Sequence, residues 1–140
     1  NSGVFLMGLY ELQILDSYKN STYVNGQAGS VYKQAIPMVN ASRPPGSWQS
    51  FDILFIAPRF GPDGELLSPA RITALHNGVF IQHDFAVQGA TVNKGLPVYE
   101  KHADRLPIVL QNHKNAVAFR NIWIREIKGE EQQVGLKKSG

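Results

Sequence analysis

Cysteine is absent from this 140-residue chain. Disulfide staples and thiolate metal sites are therefore excluded, and the redox compartment is left open. Long apolar runs are missing too, and none approaches the roughly 20 residues of a membrane-spanning helix. Helical periodicity is equally scarce: no segment keeps an apolar stripe over three turns. Charge of one sign is thinly spread. The net charge is +3, and the only adjacent basic pair, Lys137 and Lys138, lies in the tail. Such a surface lacks the basic stripe that neutralises phosphates, so nucleic acid is not an expected partner.

What remains is an ordinary globular composition, 43% hydrophobic and 18% charged. One domain of this size buries roughly two thirds of its unfolded surface, enough for a core without staples. Short apolar runs alternate with turn signals, the pattern of an all-β sandwich with seven or eight strands. A first strand region is expected from Val4 to Leu15, and a short strand in "GSVYKQ". "WQSFDILFIA", Trp48 to Ala57, is rich in aromatic and β-branched residues and ends at Pro58. "GPDGE" reads as a turn. Ala70 to His83 reads as a hairpin whose Asn77-Gly78 pair suits a turn with positive φ at both positions. Residues 86 to 107 read as a long loop, and "PIVLQNH" and "VAFRNIWIREI" as the last two strands. From Gly129 onward a disordered tail is expected. No signal peptide is visible, yet a strand pattern begins almost at once in "NSGVFLMG". The domain at 1–128 is therefore expected to be N-terminally incomplete, completed by upstream strands or by a second chain.

"YELQILD", residues 10 to 16, carries the chemical interest. Strand side chains alternate between two faces. Tyr10, Leu12 and Ile14 share the core face, and Glu11 and Gln13 share a polar one.

The blocks "NSGVFLMGLYELQILDS", "GQAGSVY", "NASRPPGSWQSFDILF", "HNGVFIQ" and "LQNHKNAVAFRNIWIREI" resemble the 3-keto-disaccharide hydrolase family, in order and at similar spacing from Asn1 to about Ile127. The resemblance implies a concanavalin-like jelly roll of two antiparallel sheets, a secreted or periplasmic location, and a glycoside or oligosaccharide substrate already oxidised at C3. A C3 ketone acidifies the C2 proton. A base removes it, the C1 group leaves, and water adds back. That sequence needs a general base near C2, an electrophile for the enolate oxygen and an acid for the leaving group.

Within that resemblance Glu11, mid-strand on the polar face, is the first candidate for the base. Asp16 rejoins it if a bulge intervenes, although Asp-Ser before a polar loop is also an ordinary turn starter. His113 is the candidate acid or second base, and Gln111 alternates onto its side. Gln13, Gln27, Tyr32 and Arg120 are candidate substrate-binding groups. Glu11, Asp16 and His113 also offer oxygen and imidazole ligands for a divalent cation that would stabilise an enolate. No organic cofactor is implied. His76, His83 and His102 read as hairpin or loop residues, and Trp48 and Trp123 as core aromatics.

Two other functions fit the pattern. "ELQILD" is similar to the E-x-D-x-x-E signature of retaining jelly-roll glucanases, whose two carboxylates stand about 5–5.5 Å apart. A non-catalytic carbohydrate-binding module is the third reading, since a fold does not decide a function.

Overall fold

The structure is a computed structural model that describes residues 1–128. The expected disordered tail lies outside the described residues. Eight strands are formed among them: β1 Ser2–Leu6, β2 Tyr10–Ile14, β3 Phe51–Ile56, β4 Arg59–Phe60, β5 Leu66–Ser68, β6 Arg71–His76, β7 Val79–Ala86 and β8 Val109–Leu110. All pairings are antiparallel. One sheet runs β2-β1-β8, a second runs β3-β6-β7, and β4-β5 is a small ribbon. The architecture is the jelly-roll sandwich expected from the sequence, with a 3-10 turn at Val24–Gly26 beside the strands.

Alternation explains the packing. Tyr10 and Leu12 of β2 point inward to meet Ile72 and Ala74 of β6 and Ile81 of β7 in one buried cluster. Tyr10 reaches across to the Phe55 ring of β3, with centroids 5.9 Å apart. Full burial of each large aliphatic here stabilises the fold by about 1.5–3 kcal/mol. The Tyr10 phenol is satisfied at its tip by His102 Nε2 at 2.7 Å. Tyr99 accepts from the Ala70 N–H at 2.8 Å and donates to the Val87 carbonyl at 2.7 Å. These two contacts pin the long loop after β7 against the sandwich.

Several local expectations change. The first strand region is a hairpin, because Met7 and Gly8 take positive φ of 56° and 67° and reverse the chain. Apolar residues on both sides of that turn disguise it in the sequence. "GSVYKQ" makes only isolated bridges, Leu12 to Val31 and Val31 to Ala35. The Asn77-Gly78 hairpin forms as expected, with φ of 52° and 79°. "VAFRNIWIREI" forms no strand, and Trp123 is 80% exposed rather than core. Alternation makes a strand only where another edge supplies hydrogen bonds, and no described strand pairs with this segment. Trp48 is likewise exposed. His76 is a buried strand-end residue, His83 lies exposed within β7, and His102 is a loop residue tied to the core.

Candidate active site

Glu11 occupies the middle of β2, opposite Phe5 of β1. On its other side the Leu12–Val31 bridge brings Tyr32 alongside, and the Tyr32 N–H donates to the Glu11 carbonyl at 3.1 Å. The Glu11 N–H donates to Thr91 Oγ1 at 2.9 Å. The backbone of Glu11 is thus held from two flanks. Its side chain is on the face away from the core cluster, yet only 4% of the residue is exposed. Room for the carboxylate comes from Gly3. A Cβ there would overlap the Glu11 carboxylate, so glycine in this strand marks a close approach.

None of the described residues donates a hydrogen bond to that carboxylate. Burial pushes its pKa up to about 7, against the opposing charge of His113, which pulls it down. Desolvation wins because few dipoles replace the lost water. A carboxyl in this state is half protonated near neutrality, the condition that suits a general base.

His113 lies three residues beyond β8, the strand paired with β1. Gln111 N–H donates to the Gly3 carbonyl at 2.9 Å, which extends the β8 register to Gly3. Gln111 and His113 lie two residues apart along this edge. The His113 ring contacts Asn115 Oδ1 at 3.0 Å and stays exposed. The Gln111 Oε1 is buried without a hydrogen-bond partner among the described residues.

The remaining candidates separate. Gln13 is buried and donates to the Gly26 carbonyl at 3.0 Å, so it braces the 3-10 turn. Gln27 is buried and donates to the carbonyls of Asn20 and Thr22, bracing the same loop. Asp16 is exposed, and its Oδ1 accepts from the Tyr18 N–H at 3.3 Å. The β1–β2 register runs without a bulge, so nothing returns Asp16 to the Glu11 face. It starts the turn instead. Arg120 lies 3.8 Å above the Trp48 ring and makes no ion pair with Glu11 or Asp16.

Among the described residues no group of three or more His, Asp or Glu side chains gathers in the way a metal ion needs. His113 is within electrostatic reach of Glu11, but Asp16 does not join them.

Sequence reasoning missed Gly3, Thr91 and Tyr23. A glycine inside an apolar strand was a readable sign of close approach. Thr91 stands in a loop whose contacts only tertiary structure reveals. Tyr23 stacks its ring where a Cβ on Gly26 would sit, and its hydroxyl meets that of Tyr32 at 2.9 Å.

The sandwich thus holds one buried carboxylate with a pKa near neutrality, an exposed histidine within its electrostatic reach, and a pair of phenols in contact. The chain matches the family model of the 3-keto-alpha-glucoside-1,2-lyase-like domain over residues 1–125 and belongs to that family. A solved structure from Parabacteroides distasonis ATCC 8503, described as a "putative glycosyl hydrolase", is 47% identical with a TM-score of 0.78. The alignment covers 83% of this chain and 49% of that one, so the chain spans about half the length of that relative. No curated protein matches the chain. Among the described residues no helix is long and apolar enough to cross a membrane.

Proposed function

We propose that the chain cleaves 3-keto-glycosides by elimination and rehydration, with Glu11 as the C2 base. The observation that carries this reading is the buried Glu11 carboxylate, without a hydrogen-bond donor among the described residues and with its pKa raised to about 7. As the carboxylate takes the C2 proton, the C2–H electron pair forms a C2=C3 bond and the carbonyl electrons move onto O3. The enolate then returns its electrons, the C1–O bond breaks, and an enone remains. In this reading His113 gives the departing oxygen its proton, a role supported by its electrostatic reach to Glu11. Water adds across C1 and C2 to complete net hydrolysis. The C1 carbon never carries an oxocarbenium charge, so a single deprotonated carboxylate suffices.

This geometry disfavours the retaining-glycosidase reading, which needs two carboxylates facing one bond. Asp16 is in a turn and does not supply the second. The family model supports the keto-sugar substrate class.

The test is cleavage of a 3-keto-glucoside against its unoxidised parent, by wild type and Glu11→Gln. Turnover of the keto sugar alone, lost in the variant, is expected. Turnover of the parent sugar would overturn the elimination mechanism. Glycan binding without turnover of either would assign a binding module.

A further inference from the structure

The elimination needs an electrophile for O3, and two phenol hydroxyls lie in contact on the Glu11 side of the sheet edge. The geometry points to the Tyr23–Tyr32 hydroxyl pair as the hydrogen-bond donor that receives the enolate oxygen; this rests on the elimination reading and names its missing partner.

Placement comes first. Tyr32 follows Val31, which bridges Leu12, so Tyr32 sits across from Glu11 on the same face of the extended edge. Base and phenol are therefore cross-strand neighbours rather than chance companions. Tyr23 reaches the same spot from the far side of the loop, and its hydroxyl lies 2.9 Å from that of Tyr32.

The loop is built to hold that contact. Tyr23 adopts a left-handed φ of 57°, a conformation that bulky residues seldom take. Its carbonyl accepts the Gly26 N–H at 3.0 Å, and its ring covers the bare Cα of Gly26. The Gly26 carbonyl in turn accepts Gln13 Nε2, on the same strand as Glu11. Backbone strain held by such surroundings is characteristic of functional positions.

The chemistry follows from two hydroxyls in contact. One donates to the other, and the second keeps its own O–H for an outside acceptor. A chain of two donors polarises the terminal O–H beyond a single phenol. Lys33 stands 5.4 Å from the Tyr32 ring centroid, with its ammonium anchored on the Asn93 carbonyl at 2.8 Å. That positive charge favours negative charge gathering on the neighbouring oxygens. The hydrogen bond from Tyr32 and burial together raise the Tyr23 pKa, which keeps that hydroxyl a donor. As Glu11 removes the C2 proton, the pair donates to O3. As the C1–O bond breaks, O3 becomes a carbonyl again and the hydrogen bond relaxes. No proton is consumed.

The test uses Tyr32→Phe, Tyr23→Phe and Gly26→Ala in the full chain with a 3-keto-glucoside. Gly26→Ala pushes the Tyr23 ring aside and keeps both hydroxyls. Expected are a kcat loss of about 100-fold in Tyr32→Phe with KM changed by less than about threefold, as for loss of one oxyanion donor. Tyr23→Phe and Gly26→Ala are expected to lose about tenfold by the same argument. The activity limb near pH 7, which belongs to Glu11, is expected to survive in all three. Were Tyr32→Phe folded, by its melting temperature, and within threefold of wild-type kcat, the assignment would fall while the elimination reading stood. A rise in KM at constant kcat would also overturn it, because the phenols would then bind the ground-state sugar. If Tyr32→Phe does not fold, unchanged kcat in the other two variants overturns the pairing. An inactive wild type would sink both ideas, and an active wild type whose Glu11→Gln variant keeps its kcat would sink the elimination reading with Glu11 as base.

Discussion

His76 and Glu11 are both buried ionisable side chains, and the fold surrounds them differently. His76 ends β6 with 1% of its surface exposed. Its ring stacks on Phe51 with centroids 4.2 Å apart, and its Nε2 contacts Gln49 Oε1 at 2.9 Å. Gln49 is shared with Asn77, which ties the hairpin turn to the same site. Burial pulls the His76 pKa down to about 4, with Arg43 adding to the effect. That imidazole is neutral at every ordinary pH and is fixed as part of the packing. Glu11 is nearly as buried, but its carboxylate has a glycine on one side, an exposed histidine within electrostatic reach and no described donor. One group is neutralised and spent on structure. The other is poised at its titration point, which lends it to chemistry.

Breaking the comparison at its functional end gives the largest effect. Glu11→Gln is expected to lower kcat about 10³-fold, the range for loss of a general base. The same variant is expected to be more stable than wild type at pH 8 by about 1–3 kcal/mol. The sign follows from a folded pKa above the unfolded one. Glu11 favours the fold fully below about 4.5, and that contribution is lost as pH rises through about 7. Chemical denaturation at pH 5 and pH 8 measures it; a variant less stable at both would show that the carboxylate is structural.

Gly3→Ala comes next. The backbone at Gly3 is ordinary, so the chain is expected to fold while the new Cβ displaces the carboxylate. A shift of about 1 Å in a reacting group costs about 10²-fold in rate, and steady-state kinetics on the keto sugar reads it. Wild-type kinetics would show that the carboxylate reacts from elsewhere. At the structural end, His76→Ala is expected to destabilise the fold by about 2 kcal/mol and leave kcat of the folded fraction unchanged. Thermal melts beside active-site titration separate the two.

The pH dependence of wild type sharpens the same contrast. His76 binds its proton in the unfolded chain from about 6.5 but in the fold only near 4. Stability is therefore expected to fall as pH drops from 6.5 towards 4, by about 1–3 kcal/mol, and to flatten in His76→Ala. The smallest effect is Arg120→Ala. Its guanidinium rests on an exposed Trp48, where such contacts contribute about 0.5–1 kcal/mol. Unchanged kcat is expected there, and a tenfold loss would place Arg120 in the sugar site after all.

The parts of this picture legible in the sequence are those set by local rules. Alternation in "YELQI" marks the two faces of β2, and Asn77-Gly78 marks its hairpin because few other pairs accept positive φ twice. The parts not legible depend on neighbours distant in the chain. Met7 takes a left-handed turn amid apolar residues because Leu6 and Tyr10 are pulled into one core. "FRNIWI" has the composition of a strand and lacks a described edge to join. Glu11 could be placed on a polar face, but two of the groups that act on it, Thr91 at its N–H and His113 through its charge, lie 80 and 102 positions away in the sequence. Gln13 and Gln27 have the residue type of sugar ligands, and only the loop they brace reveals their use.

The Gln13–Gly26 strut has a consequence for how the molecule assembles. Base, strut and both phenols fall between positions 11 and 32, so their contacts close short loops at low entropic cost. Such local contacts form early relative to the pairing of β8 with β1, which joins residues more than a hundred positions apart. The cradle around Glu11 is then a nascent unit, awaiting the late arrival of His113 before it becomes complete.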